Sequence, residues 1–597
     1  MLAIFSSTRA ATALGLFLVA VLYCIPLAAN LGGLEMENDE AGYSYQVDRM
    51  LETGDWMTPR AVPTGVDFVE KPPLMFWLIA GGMKAGLLPH TDIGMRALSV
   101  AFGSLAFIYV YLIGCRLQGP VTGVAAGLVL FTFNPLIYDH GLRTNNMEGP
   151  LFLSYCAGMF HFMHWMDADA RAKRRLHASM AIAAFVLGFM TKFVAAIFLP
   201  TVWVLAMLAR PDRLVLVRTR WKDWLGPAAV AAVVVLPWFA FQTWRLGTRF
   251  WQILIGQHVY DRFTTGLDPT HLQPWSFYFT RVWGELASSG SLWIVLIGLG
   301  FLVFRAAAER DWRARLLLIW AVVPVVLMSM GSSKLIHYAY PFIPPLALGA
   351  GWIAGAAIAW LYLKAGCAEP LLRRVAGVIG AIALAVAAWT LVAGPLAITI
   401  GQVSILRNAS VVRPLVLALV LFWLSGRFRA SLGFAVAAMI VLLPLPLLAY
   451  ERTADRAREN NHPLRAIRDC VNTENVARGT LYRGVYVGSG PIPIHSYFLY
   501  LRQLGPFLFR EDGLADDVGV RLLVPAQHSL VILSEQDYAT WADRLRSGAV
   551  PGRVGGVPPP AVRTVLNYLV VMPGDYQVCV TPAISAGAGR FDGIIDR

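Results

Sequence analysis

The chain has 597 residues, of which 57% are hydrophobic and 15% are charged, and its 50 lysines and arginines exceed its 37 acidic residues by 13. Ordinary soluble domains carry about 25% charged residues. Apolar runs of roughly 17–25 residues recur from Ala11 to Tyr450, and each is long enough to cross a hydrocarbon core as a helix. The apolar runs therefore exclude a soluble enzyme and a disordered chain. A nucleic-acid binder is excluded as well, because the basic surplus lies mostly in short loops beside apolar helices.

The charges of the loops orient the predicted helices, because basic loops stay on the cytoplasmic side. The first run, about Ala11 to Ala29, lacks a small-residue cleavage site and is expected to be a retained helix. The basic loop 167–177 falls inside only if the short, glycine-broken stretch Pro72–Leu88 lies along the outer interface instead of crossing. The same rule splits the run Ala178–Ala209 into two helices that turn at Thr191-Lys192, near the outer face.

This procedure predicts about 13 transmembrane helices and leaves the tail after Tyr450 on the outer side. The predicted spans lie near 11–30, 97–115, 121–138, 149–166, 178–191, 192–209, 224–244, 291–305, 316–331, 341–362, 375–393, 411–425 and 431–449.

Two domains are predicted from the change of composition near residue 450. Residues 1–450 form a transmembrane domain, in which 31–96 make a first outer loop with interfacial helices. Residues 451–597 form a small outer domain of mixed α and β structure. Its strand-like runs are Leu522–Pro525, Ser529–Leu533 and Val565–Met572. Cys470 and Cys579 are the two cysteines of this domain and could form a disulfide in an oxidising compartment, and cysteine spacing shows no metal motif.

Carboxylates stand at two predicted outer helix ends. Asp39 and Glu40 follow the first helix closely, so at least one carboxylate is expected at the bilayer surface, where desolvation favours a base or a metal ligand. Glu148 lies at the outer start of the fourth helix, on the same side of the membrane. Two carboxylates facing one cleft would suit acid–base chemistry or a metal. The alternative is an acidic helix cap that only stabilises the helix dipole.

Lysine is rare in this chain, with only seven examples among the basic residues. Lys71, Lys192 and Lys334 fall at predicted outer turns, and three compact cations in one cavity would suit a phosphate. Two prolines after Lys71 fix its position and that of Glu70. The alternatives are chance placement in loops and, for Lys71, an interfacial anchor that reaches lipid headgroups.

Two further outer segments combine a histidine with a cation and an aromatic ring, the mixture that holds sugar hydroxyls and phosphates. One contains His258 and Arg262, and the other contains His337 and Tyr338 beside Lys334. A satisfied structural histidine is the alternative, and it is the better interpretation for His271 and His495.

Together these motifs resemble the bacterial integral-membrane glycosyltransferases of the GT-C fold, in particular the aminoarabinose (lipid A) transferases and the protein O-mannosyltransferases. The resemblance covers roughly residues 1–450 and rests on the order of Asp39-Glu40, Gly54-Asp55-Trp56, Thr58-Pro59-Arg60, Phe68–Pro73, Gly188–Lys192, His258–Phe263 and Ser333–Pro345.

The resemblance implies sugar transfer at the outer face of the bacterial inner membrane, by an inverting displacement from a polyprenyl-phosphate-linked monosaccharide. It implies a lipid A, surface glycan or protein acceptor, no nucleotide sugar and no nucleic acid. By position, the implied roles are catalytic for Asp39, Glu40 and Glu148, donor-phosphate binding for Tyr43, Lys71, Lys192 and Lys334, and sugar or acceptor binding for His258, Arg262, His337 and Tyr338.

Two departures from the family concern substrate identity. The aminoarabinose transferases tend to have Arg-Tyr where this chain has Gly42-Tyr43, and Asp where it has Glu148. No cofactor is required by the sequence, although a divalent ion has candidate ligands in Asp39, Glu70 and Glu148. Two other functions stay open at this point: a lipid-linked polysaccharide ligase or polymerase, and a flippase of lipid-linked sugars. A flippase would usually show inverted repeats, and none is evident.

Overall fold

The computed structural model describes most of the first 408 residues and shorter pieces of the remainder. The described residues are 9–60, 67–266, 269–366, 370–394, 396–400, 403–408, 414, 417–418, 421–422, 425, 459–460, 462, 464–465, 468–469, 484–487, 494–502, 507–509, 529–534, 561–565 and 568–572. The predicted span 431–449, Cys470, Cys579 and the run Leu522–Pro525 lie outside them, and the span 411–425 lies largely outside.

Helices dominate the described part of the chain. In chain order they are α1 (Arg9–Val19), α2 (Ile25–Ala28), α3 (Asn38–Thr53), α4 (Leu74–Lys84), α5 (Asp92–Leu117), α6 (Pro120–Thr132), α7 (Asn134–Tyr138), α8 (Glu148–Asp167), α9 (Arg171–Lys192), α10 (Val194–Leu208), α11 (Arg213–Arg220), α12 (Lys222–Leu246), α13 (Thr248–Trp251), α14 (Arg262–Thr264), α15 (Phe277–Ser288), α16 (Leu292–Ala307), α17 (Trp312–Met330), α18 (Ile343–Gly366), α19 (Pro370–Ala393) and α20 (Ile494–Leu501). π-helical segments at Ala20–Cys24 and Gln252–Asp261 and 3-10 turns at Pro269–His271 and Ile336–Phe342 complete the set.

The chain is a multi-pass helical membrane protein. Within the described residues, six helical stretches are at least 18 residues long and apolar enough to cross a membrane. They are Ala11–Ala28, Asp92–Leu117, Lys222–Leu246, Trp312–Met330, Ile336–Trp360 and Arg373–Thr390.

The helix breaks agree with the sequence in two places and differ in one. α9 ends at Lys192 and α10 begins at Val194, so the predicted division into two helices is confirmed, with the break one residue after the predicted turn at Thr191-Lys192. Phe193 between them has a φ of 34°, which no helix accommodates. The stretch Pro72–Leu88 contains only the 11-residue helix α4, too short to span a membrane. The predicted span 121–138 is not one continuous helix, because the chain breaks at Phe133 between α6 and α7.

Glycines let α18 approach two other helices closely. A Cβ atom on Gly298 of α16 would lie 2.4 Å from the backbone nitrogen of Ala350, and one on Gly351 would lie 2.4 Å from the backbone oxygen of Thr122 in α6. Backbones packed this tightly are typical of membrane helices, where small residues permit van der Waals contact.

The contacts divide the chain into two units. The first comprises Met1–Ala29, Val69–Leu78 and Arg96–Ala457, and the second comprises Asn30–Phe68, Ile79–Met95 and Arg458–Arg597. Most of the predicted loop 31–96 thus groups with the C-terminal residues. The first unit also contains an antiparallel pair of strands, β1 (Leu396–Ile400) and β2 (Val403–Asn408).

In the second unit, α3 packs on α20, and the unit also contains a five-stranded sheet. The ring centroids of Tyr45 and Phe498 are 5.1 Å apart, and Arg502 donates to Asp48 at 3.0 Å and to Glu52 at 2.7 Å. The strands of this sheet are β3 (Gly484–Val487), β4 (Phe507–Phe509), β5 (Ser529–Ser534), β6 (Ala561–Val565) and β7 (Tyr568–Met572). Their order is β4-β3-β5-β7-β6, with β3 parallel to β4 and β5 and with antiparallel pairs β5–β7 and β6–β7.

Arg143 closes the end of the first membrane helix. Its guanidinium donates to the carbonyls of Pro26 and Leu27 at 2.8 Å each and to that of Ala29 at 2.6 Å. Carbonyls at a helix end lack the amide partners of the helix interior, and this one buried side chain binds three of them.

We expect Arg143→Ala to lower the free energy of unfolding by about 3 kcal/mol, because three carbonyls lose charge-assisted hydrogen bonds. Thermal unfolding of the detergent-solubilised protein measures the change. Arg218→Ala, which removes an exposed arginine from α11, is the control and should shift stability by less than about 0.5 kcal/mol. Equal effects of the two variants would contradict this role of Arg143.

Candidate active site

An ion pair between α8 and α9 lies at the centre of a charged cluster in the first unit. The two helices run antiparallel, so the N-terminus of α8 meets the C-terminus of α9. Glu148 is the first residue of α8 and Lys192 the last of α9, where each charge complements its helix dipole. The Lys192 ammonium binds Glu148 Oε1, and only 3% of the Glu148 side chain is exposed. Glu148 is thus at the helix start that the sequence predicted.

Two stacked imidazole rings lie against this pair. His337 Nε2 is 3.7 Å from the same Glu148 oxygen. The ring of His140 stacks on that of His337, with centroids 4.6 Å apart and 19° between the planes. Asp139 Oδ1 is 3.3 Å from His140 Nδ1, at the more exposed end of the group.

A second ion pair forms around Glu70, which lies four residues before the start of α4. Lys71 Nζ is 3.5 Å from Glu70 Oε1, and His258 Nε2 is 2.7 Å from Glu70 Oε2. Burial acts to raise the pKa of Glu70, but the charge of Lys71 and the hydrogen bond from His258 outweigh it and lower the pKa to about 2. Glu70 is therefore a carboxylate throughout the neutral range.

Arg262 and Tyr338 connect the two ion pairs. Arg262 donates to Tyr338 Oη at 2.8 Å, and the Lys192 ammonium lies 5.3 Å from the centroid of the Tyr338 ring. Arg262 follows directly after the π-helical segment Gln252–Asp261, which carries His258. Segments of π-helix are rare and occur often at functional sites.

The buried part of the cluster is rich in cations. Lys71, Lys192 and Arg262 all lie within electrostatic range of His337. Two carboxylates, Glu70 and Glu148, face these three fixed positive charges. The arrangement favours a ligand that brings one more negative charge. Among the described residues, no three His, Cys, Asp or Glu side chains are grouped to hold a metal ion.

Lys334 belongs to the same unit but has different partners. Its ammonium donates to the carbonyl of Gln273 at 2.8 Å and to that of Gly331. Backbone hydrogen bonds of Ser333 to Arg262 at 3.1 Å and of Lys334 to His271 at 2.9 Å join the same two segments. In the structure, the Lys334 ammonium joins the segment at Gln273 to the turn that precedes His337, and its predicted contact with phosphate stays a prediction.

The remaining predicted residues belong to the second unit. Asp39 and Glu40 lie in the first turn of α3, where acidic side chains stabilise the helix N-terminus. Tyr43 donates to Asp39 Oδ2 at 3.3 Å, and Glu40 is buried. His495, interpreted from the sequence as structural, lies within electrostatic range of Asp39.

The sequence interpretation missed His140. Its signal is a polar Asp139-His140-Gly141 stretch directly after an apolar run, which resembles any turn. Only the packing of the 3-10 turn Ile336–Phe342 against this loop shows that His140 belongs to the cluster.

Known proteins are similar to the part of the chain that contains both ion pairs. Residues 70–241 match the family model of the dolichyl-phosphate-mannose-protein mannosyltransferases. The undecaprenyl phosphate-alpha-4-amino-4-deoxy-L-arabinose arabinosyl transferase of Pseudomonas aeruginosa (strain LESB58) is 28% identical over 57% of this chain and 59% of its own length. The protein of the same name, numbered 1, from Sodalis glossinidius (strain morsitans) is 29% identical over 80% of this chain and 82% of its own length. The chain thus spans under two thirds of the first of these relatives.

The crystal structure of ArnT from Cupriavidus metallidurans bound to undecaprenyl phosphate superposes with a TM-score of 0.58, over 95% of this chain and 98% of that one. The predicted resemblance to GT-C glycosyltransferases is confirmed. At 18% sequence identity the structural likeness is one of fold. The family match begins at Glu70 and ends within α12, so it includes both ion pairs but not the π-helical segment.

Because folding lowers the pKa of Glu70, the stability of the folded chain depends on pH. Because this pKa lies below its ordinary value of 4.5, the Glu70 charge stabilises the folded chain above that pH, and the contribution is lost as the pH falls toward 2. We expect wild type to melt about 2 °C above Glu70→Gln at pH 7, and the difference to fall to about half near pH 3 and to vanish below about pH 2. Thermal unfolding across pH measures it, with the partly exposed Glu309→Gln as control. A difference that stays constant from pH 7 to pH 3 would contradict the assignment.

Proposed function

We propose that the protein is a glycosyltransferase that moves a monosaccharide from a polyprenyl-phosphate donor to an acceptor at the outer face of the bacterial inner membrane. The observation that carries the proposal is the cluster of Lys71, Lys192 and Arg262 around two buried carboxylates. The phosphate of a lipid-linked sugar supplies the negative charge that such a cluster lacks. Family similarity supports the same donor class.

The names of the relatives narrow the donor and the sugar. Undecaprenyl phosphate-linked 4-amino-4-deoxy-L-arabinose is the first candidate, and lipid A is the first candidate acceptor. A surface glycan and a protein are the alternatives, since Gly42 and Glu148 depart from the aminoarabinose transferase pattern.

The proposed reaction is an inverting displacement at the anomeric carbon of the sugar. The acceptor oxygen forms a bond to this carbon while the bond to the phosphate oxygen breaks. Asp39 orients the acceptor and takes the proton when that oxygen is a hydroxyl. The departing polyprenyl phosphate gains negative charge in the transition state, and Lys71, Lys192 and Arg262 stabilise it.

A divalent ion, for which Asp39, Glu70 and Glu148 are the candidate ligands, takes no step in this scheme. Titrating the purified protein with EDTA and then with single metal ions, while transfer is measured, tests it separately.

The first test is mass spectrometry of lipid extracts and envelope glycans from cells with the wild-type protein, Asp39→Asn, Glu37→Gln or no protein. We expect one polyprenyl-phosphate sugar to accumulate, and one acceptor to lose that sugar, in the Asp39→Asn and null strains. Glu37→Gln, which changes an exposed carboxylate two residues away, should match wild type. Intact transfer by Asp39→Asn would contradict the proposed role of Asp39.

The same lipid extracts and one assay in reconstituted vesicles separate the other functions. Pyrophosphate-linked oligosaccharides that accumulate in the null strain would favour a ligase or polymerase. Movement of labelled lipid-linked sugar across reconstituted vesicles without a new glycosidic bond would favour a flippase.

A second test concerns the leaving group. We expect Lys71→Gln to lower kcat/KM for the lipid-linked donor about 100-fold, because one stabilising charge on the departing phosphate is lost. Lys84→Gln is the matched control: it removes an exposed lysine at the far end of α4. Radiolabelled transfer by purified protein in detergent gives both values. An effect of Lys71→Gln no larger than that of Lys84→Gln would remove Lys71 from the phosphate site.

A further inference from the structure

His140 has a strained backbone at the edge of the charged cluster. Its φ is 50°, in the left-handed region that non-glycine residues seldom adopt. Such a conformation costs of order 1 kcal/mol and persists only where the surroundings impose it.

The surroundings of His140 impose this conformation from both sides. The Tyr340 hydroxyl donates to the carbonyls of Asp139 and of Pro135, the latter at 2.7 Å. After the turn, the amide of Leu142 donates to the carbonyl of Leu136 at 2.8 Å. The guanidinium of Arg143 is in turn fixed to the end of α2.

The strained turn places an imidazole ring on His337. His337 is almost fully buried, whereas 27% of the His140 side chain is exposed. Beyond His337 lies Glu148 Oε1, and this one oxygen faces both His337 Nε2 and the Lys192 ammonium. A continuous set of contacts thus leads from His140 to the lysine.

We propose that His140 is a positioning residue for Lys192. Stacking fixes the plane of the His337 ring, and His337 limits where the Glu148 carboxylate can turn. Glu148 then holds the Lys192 ammonium at one place over the Tyr338 ring. His140 acts through the flat face of its ring, which stacks on His337. The part of this proposal that concerns sugar transfer rests on the proposed function.

Two substitutions separate the ring from the backbone. His140→Asn removes the ring but suits the left-handed conformation, which asparagine tolerates. His140→Phe keeps a flat ring and removes the titratable group. We expect kcat/KM for the lipid-linked donor to fall about tenfold in His140→Asn and less than about threefold in His140→Phe, with melting temperatures measured for both.

A double-mutant cycle tests the route through Lys192. If His140 acts through the lysine, His140→Asn should cost little once Lys192→Ala is present, since losses along one connected set do not add. Fully additive losses, equal losses in His140→Asn and His140→Phe, or no loss in His140→Asn would each overturn the proposal.

Amine-specific acylation read by mass spectrometry tests the same geometry without substrate. The chain has only seven lysines, so each site is resolved. We expect Lys192 to be acylated about fivefold faster in His140→Asn than in wild type or His140→Phe, because its hold on Glu148 loosens, while Lys84 reacts equally in all three. Unchanged Lys192 reactivity would overturn the positioning role of His140, even if the protein transferred no sugar. A failed transfer assay alone would count only against the proposed glycosyltransferase function.

Discussion

The antiparallel pairing of α8 and α9 brings opposite charges together where the N-terminus of α8 meets the C-terminus of α9, and the charged cluster is built on that contact. Glu148 and Lys192 are both removed from most of the solvent, so each needs the other: losing one partner of a buried pair leaves an uncompensated charge, which is strongly destabilising. Helix dipoles favour the same arrangement at both ends. His337 and Tyr338 then pack around a pair whose position the two helices fix.

The second pair, Glu70 with Lys71 and His258, is held by different elements of the chain. Two prolines after Lys71 fix the chain before α4, while His258 comes from a π-helical segment. Each carboxylate holds a lysine in place while no anion is bound. Under the proposed function, the donor phosphate would therefore meet cations that are already oriented and would compete with the carboxylates for them. Such preorganisation avoids the entropic cost of ordering lysine side chains during the reaction.

Sequence reasoning located the parts of this site that depend on local rules. Loop charge and helix length were enough to predict the turn at Lys192 and the helix start at Glu148, because both follow from the membrane's thickness and its charge asymmetry. The ring of His140 on His337 and the carbonyl partners of Lys334 depend on tertiary packing between distant segments. Hydrophobic periodicity carries no information about such contacts, nor about a π-helical segment.

The position of Lys192 at the end of α9, just before the break at Phe193, also restricts where residues can be inserted in the chain. Lys192 is the last residue of α9, and each residue added within that helix would rotate everything after it by about 100°. A single insertion there would turn the ammonium away from Glu148, whereas an insertion in the three-residue link 168–170 would leave both helix ends in register. Length differences among natural variants of this chain should therefore collect in that link and avoid α9.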